Sequence, residues 1–218
     1  MSFGRLYAPD ERDKQFRMST VIPKESVRKY RYWWTNGAWL NQGNQPHCVA
    51  YGLLHWLEDG PITHPPYGPN SELIVNPTWL YREAQKIDEW PGEDYEGTSV
   101  SAGCKVLVKE GLIDKYYWAN SIDEINLALL EKGPVTVGTS WFRGMSNPDK
   151  DGFIEPSGYM QGGHCYVLDG INVDRGVYRI KNSWGRDWGK KGFAYIKIDH
   201  FEVLLNDYGE VCLATEVG

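Results

Sequence analysis

Apolar residues recur at helical spacing through the first half of the chain and alternate through the second. Leu53, Leu54 and Leu57, with Trp56 beside them, give one buried face to a helix running from Cys48. Asn76 and Pro77 form an N-cap and N1 pair that opens PTWLYREAQKI as a second helix. Ser99 caps a third helix through SAGCKVLVKEG, whose Gly111 is the expected left-handed stop. Ser121 and Glu124 form a capping box for a fourth, which Gly133 ends. After Pro134 the period changes, and VTVGTSWF, HCYVLDGI, VYRIKNSW and FAYIKI read as strands, with NVDRG as a hairpin turn built on Asp174 and Gly176.

Helices first and strands afterwards indicate an α+β arrangement, a helical half packed against a twisted antiparallel half with a cleft between them. The Pro/Gly-rich stretch EDGPITHPPYGPNSE joins the first two helices as a surface loop. No internal repeat or low-complexity segment interrupts this order.

Composition narrows the function classes. A net charge of -6 argues against electrostatic binding of nucleic acid, which needs a basic face. No apolar run is long enough to span a bilayer, and the opening MSFGRLYAPDERDKQF has no apolar core for a secretory signal, so a cytoplasmic, membrane-free protein is expected. Cys48, Cys104, Cys165 and Cys212 are widely scattered and read as free thiols of a reducing compartment.

In NQGNQPHCVAYGLLHWLE a cysteine stands where a Gly/Pro-punctuated loop becomes a helix. A thiol in that first turn faces the positive end of the helix dipole, which lowers its pKa toward the thiolate. Gln42 in the preceding loop supplies an amide donor, and Gly43 allows close backbone approach. A nucleophile also needs a base and a group that orients it. His164 follows two glycines at the start of an apolar strand, and Asn182 ends the next strand with Trp184 two residues on. Paired strands bring the two together, which is the logic of a Cys–His–Asn set.

NQGNQPHCVAYG resembles the active-site loop and helix of papain-like cysteine peptidases, while GGHCYVLDGI and RIKNSWGRDWGKKGFAYIKI resemble that family's histidine and asparagine segments. The resemblance spans roughly Asn41 to Ile198, in the family's order. It implies a two-lobed α+β fold: a helical lobe about 41–132 and an antiparallel, barrel-like lobe about 133–218, with the active site between them. Residues 1–40 are then an N-terminal extension, expected to brace the fold because it is aromatic and interspersed with arginines.

The family implies roles in turn: Cys48 as nucleophile, His164 as base and then acid, Asn182 holding the imidazole, and Trp184 shielding that bond. Gln42 joins the Cys48 backbone N–H in the oxyanion hole. Gly97 matches the stretch whose backbone pairs with an extended peptide, and Cys165 and Val100 line the pocket for the substrate side chain second from the scissile bond. The activity implied is that of a cysteine endopeptidase acting on peptide or protein through a thioester, with no cofactor and no metal. The sequence departs from the family at Pro46 and His47, where small residues are usual, and at Val49, where tryptophan is usual. The compact N-terminus resembles the bacterial and phage branch, which makes a virion location the alternative for a phage-encoded chain.

Taken alone, Cys48 is inert packing and His164 a satisfied structural histidine; together with Gln42, Asn182 and Trp184 they describe a site. Zinc at His47–Cys48 or His164–Cys165 is disfavoured, because the chain has no CxxC or HxxxH spacing and His164 and Cys165, as neighbours on a strand, point to opposite faces. His55, His64 and His200 read as surface or helix-face residues, and the tryptophans as packing at the seam between the halves. Two other classes stay open: a non-catalytic papain-fold component of a phage particle or bacterial assembly, and an amidase or acyltransferase using the same thiol.

Overall fold

The N-caps read from the sequence set the starts of the helices. In the computed structural model, which describes residues 2–34, 39–61, 76–92 and 94–215, α1 spans Cys48–Glu58, α2 Pro77–Gln85, α3 Val100–Lys109 and α4 Ile122–Glu131. Asn76, Ser99 and Ser121 each accept a hydrogen bond from the backbone N–H three residues on, at Trp79, Ala102 and Glu124. Gly111 takes up the left-handed stop after α3 with φ +67. The predicted loop between α1 and α2 lies mostly outside the described residues, as does His64.

The strands form one antiparallel sheet. Strand β1 is Tyr30–Tyr32, β2 Lys115–Trp118, β3 Val135–Phe142, β4 Met160–Asn172, β5 Val177–Lys181, β6 Phe193–Lys197 and β7 Glu210–Thr215. Their order is β2-β7-β3-β4-β5-β6, with β1 added to the far end of β4. The β4–β5 hairpin turns through Gly176 at φ +61, as NVDRG predicted. The barrel-like closure expected from the sequence is corrected here: β2 and β6 are the two ends of the strand order and do not pair, so the sheet is open.

Strand β3 and strand β4 from His164 on are buried almost throughout because both faces are covered. On one side Leu53, Leu57, Val100, Leu107 and Cys165 share a core with Cys48. On the other, Ile125 and Leu129 of α4 and Phe201 and Leu204 of helix α5 (Ile198–Asn206) pack with Trp141, Tyr166 and Ile180. Strand β2 pairs with β7, and the apolar face of α4 belongs to the core of the sheet, not to that of α1.

Residues 2–34 make two kinds of contact. Much of the segment packs on the outside: Asp13 accepts from Ser101 and Tyr116, and Trp33 donates to the Leu129 carbonyl at 2.8 Å. Its first residues, Ser2–Leu6, take a different course and run between Thr98, just ahead of α3, and Gly163 of β4. His55, expected on a surface or helix face, is fully buried, where its Nε2 accepts from the Leu40 N–H at 2.9 Å.

Candidate active site

Helix α1 begins at Cys48 and packs on β4, so the thiol at its first turn meets the strand that carries His164. The Cys48 sulfur lies 4.0 Å from the Gly163 carbonyl oxygen, beside His164 in the chain. His164 and Asn182 are 18 residues apart in sequence, yet β4–β5 pairing sets their side chains together with Nε2 and Oδ1 at 2.9 Å.

The proton on that ring can be assigned. Asn182 Oδ1 also accepts from the Ser183 backbone N–H at 2.8 Å, so the atom facing the ring is an acceptor. His164 Nε2 must then carry the hydrogen, which leaves Nδ1 as the basic nitrogen; that atom is buried and has no hydrogen-bond partner among the described residues. Trp184 stacks on the imidazole, with ring centroids 4.9 Å apart at 29°, and Trp141 closes its edge at 4.8 Å. Water is thus kept from the His164–Asn182 bond.

Gln42 is held as tightly. Its N–H donates to the Ser183 carbonyl, its Oε1 receives the Ser183 hydroxyl at 2.7 Å, and its Nε2 points into the cleft. There Nε2 donates to two carbonyls, Gln45 at 2.9 Å and Ser2 at 3.0 Å. Ser183 is a positioning contact that sequence reasoning missed, although it stands in the NSWG run.

The cleft is filled by the chain's own N-terminus. Gly4 and Arg5 N–H groups donate to the Gly163 carbonyl, Thr98 N–H donates to the Gly4 carbonyl, and Leu6 N–H donates to the Thr98 carbonyl. Phe3 sets its ring edge-on to His164 at 5.8 Å. The fit requires glycine: a Cβ on Gly4 would lie 1.9 Å from the Pro46 carbonyl oxygen, and one on Gly97, at φ +107, 2.6 Å from the Gly4 oxygen.

Pairing with an extended segment therefore runs through Thr98, one residue beyond the expected Gly97. The Gly97 N–H is taken by the Tyr81 hydroxyl at 2.8 Å and its carbonyl by Gln85. Val100 and Cys165 are both buried in the core that contains Cys48. His47 stacks on Tyr81 with centroids 3.9 Å apart, and Val49 is core.

Burial reverses the pKa expected for Cys48. Desolvation pushes the thiol up to about 11, outweighing the hydrogen bonds that favour the thiolate. It likewise pushes His164 down to about 4, against the pull of Asn182. With the cleft covered, the pair is a neutral thiol and a neutral imidazole. Behind them, Lys181, the residue before Asn182, pairs with Asp59 at the end of α1 at 2.8 Å, both side chains fully buried. Among the described residues no group of three or more His, Cys, Asp or Glu side chains is arranged to hold a metal ion.

Comparison with known proteins bears on the fold and the family. Over its whole length the chain overlays on xylellain, a cysteine protease from Xylella fastidiosa, with a TM-score of 0.73, 16% identity and 97% of that chain covered. It overlays on the bromelain protease from Ananas comosus with a TM-score of 0.60 and 14% identity, covering 87% of this chain and 100% of that one. These likenesses establish a papain-like fold.

Among sequence relatives, cathepsin B-like cysteine proteinase 6 of Caenorhabditis elegans is 24% identical over 152 residues, 64% of this chain and 40% of the relative. A peptidase C1-like protein of Acanthamoeba polyphaga mimivirus is 31% identical over 124 residues, 53% of this chain and 38% of the relative. The matched regions thus span about two fifths of those relatives' length. The family model for papain family cysteine proteases matches residues 74–209, well over half of the chain, and includes His164 and Asn182. The chain belongs to the papain family of cysteine proteases.

Proposed function

We propose that the protein is a cysteine endopeptidase that cleaves peptide bonds through a thioester on Cys48. The observation that carries the reading is the tautomer of His164: with Nε2–H committed to Asn182, the unpartnered Nδ1 is the atom left to act as base. In the first step the Cys48 proton passes to Nδ1 and the sulfur attacks the substrate carbonyl. Gln42 Nε2 and the Cys48 backbone N–H receive the oxyanion in place of the Ser2 carbonyl, which now occupies the Gln42 donor. The imidazolium then protonates the leaving amine, and a thioester remains. Water, deprotonated by Nδ1, attacks the thioester; the acid leaves and the thiol is restored. Ser2–Leu6 has to vacate the cleft before a substrate enters.

The test is hydrolysis of a labelled casein by the full chain, with mass spectrometry for an acyl adduct on Cys48. Cys48→Ala is expected to abolish both signals. Hydrolysis that survives Cys48→Ala would overturn the reading, and turnover that depends wholly on an added amine would make the protein a transferase.

A further inference from the structure

Four cysteines share one core, and two of them touch. Cys48, Cys104, Cys165 and Cys212 are all free thiols, fully buried where α1 and α3 pack on the sheet. The Cys165 sulfur lies against α1, where a Cβ on Gly52 would come within 2.8 Å of it. Cys104 and Cys212 meet each other, sulfur to sulfur at 3.8 Å, although they are 108 positions apart in sequence. Rigid elements set that approach. Cys104 stands in the middle of α3, and Cys212 stands in β7 between Trp118 of β2 and Thr136 of β3, with ladder pairing on both sides.

The surroundings narrow what the pair can do. Burial pushes the Cys104 thiol well above its ordinary value, and the neighbouring Cys212, Glu210 and Asp13 add to the rise. A nucleophile or a metal ligand has to be a thiolate, and among the described residues no third His, Cys, Asp or Glu joins the two sulfurs in a metal site. Two neutral thiols in contact still have one reaction open to them, oxidation to a disulfide. For that the sulfurs must close to about 2.05 Å, which side-chain rotation on two fixed backbones has to supply.

We propose that Cys104 and Cys212 are a disulfide-forming pair, a covalent modification site that ties α3 to β7 when the chain meets an oxidising pool of small disulfides. One protein thiol gives up its proton and attacks a sulfur of the small disulfide, whose other half leaves as a thiolate and takes that proton. The second protein thiol then displaces the half still attached, in the same way. One S–S bond breaks and one forms, and two electrons pass from the protein sulfurs to the small thiols. Because both sulfurs are buried, the exchange runs through a locally opened state, and the core that closes again shields the product from reduction.

The cross-link joins the two elements that hold the cleft segment. Thr98, just ahead of α3, pairs with Gly4 and Leu6, while Arg5 donates to Glu210, the first residue of β7, at 2.9 Å and to the Tyr208 carbonyl at 2.6 Å. A disulfide behind them fixes the distance between those anchors. The proposal is independent of whether Cys48 acts as a nucleophile.

The experiment equilibrates the full-length chain in glutathione buffers of increasing oxidised share, in urea below its unfolding transition so that the core opens locally. Samples are quenched with acid, blocked with N-ethylmaleimide and mapped by peptide mass without reduction. A cross-linked peptide containing Cys104 and Cys212 is expected, lighter by one hydrogen per sulfur than its two thiol halves. Bridging 108 positions restricts the unfolded chain, so the oxidised protein is expected to melt at least about 5 °C higher than the reduced one. Cys212→Ala should show neither the cross-link nor the gain; Cys212→Val serves if the alanine variant does not fold, and the mass map of the unaltered chain decides without either. Thiols at 104 and 212 that stay free in the most oxidising buffer, reaction that stops at glutathione adducts on them, or a cross-link that lowers the melting temperature would each overturn the assignment.

Discussion

At the scale of single residues, the site is a pair of neutral groups waiting for solvent or substrate. Desolvation holds Cys48 at about 11, so the thiolate is scarce at neutral pH and its fraction grows as pH rises toward that value. The thiolate absorbance of the full chain minus that of Cys48→Ala is therefore expected to titrate near pH 11. In Gly4→Ala, whose new Cβ cannot fit 1.9 Å from the Pro46 oxygen, it should titrate lower. A thiolate already present at pH 7 in the unaltered chain would contradict this. Asn182→Ala removes the acceptor that fixes the His164 tautomer, and is expected to lower kcat of peptide hydrolysis about 10- to 100-fold while KM changes little. An unchanged kcat would leave Asn182 a purely structural residue. Cys48, His164 and Asn182 were legible in sequence because each sits in a motif whose chemistry is local. Thr98 and Ser183 were not, since their parts follow from long-range contacts and from a segment that crosses the cleft.

At the scale of elements, the helix of the nucleophile and the strand that delivers the asparagine are tied by one buried ion pair. Asp59 closes α1 and Lys181 ends β5, and burial pushes the Asp59 carboxyl up to about 7 against the pull of Lys181. Asp59→Ala strands a buried ammonium next to Asn182 and is expected to cost about 3–5 kcal/mol of unfolding free energy. The double substitution Asp59→Leu with Lys181→Met, which removes both charges, is expected to restore most of it in chemical denaturation. A single variant as stable as the unaltered chain would mean that the pair is idle. The same elements show what periodicity reveals. Four helices and four strands carried caps, breakers or alternation, and all appear in the structure. Strand β7, the short β1 and β2, and helix α5 carried weaker patterns. Without β2 and β7 the sheet's true edge and the assignment of α4 to its core were out of reach.

At the scale of the whole molecule, two cores meet along β3 and β4, and the chain's own first residues occupy the cleft at their junction. The segment is held by a few backbone hydrogen bonds, one ion pair and a close-fitting glycine, so its hold should be adjustable by single substitutions. The central claim is that Cys48 and His164 form a competent pair covered by Ser2–Leu6. The most direct measurement is the rate at which an epoxysuccinyl thiol reagent modifies Cys48 in the full-length chain, in Gly4→Ala and in Gly4→Ala with His164→Ala, mapped by peptide mass. The account predicts slow modification of the unaltered chain and at least about tenfold faster, Cys48-selective modification in Gly4→Ala, with the gain lost when His164 is removed. Equal rates in the first two proteins, or modification that is indifferent to His164, would contradict it.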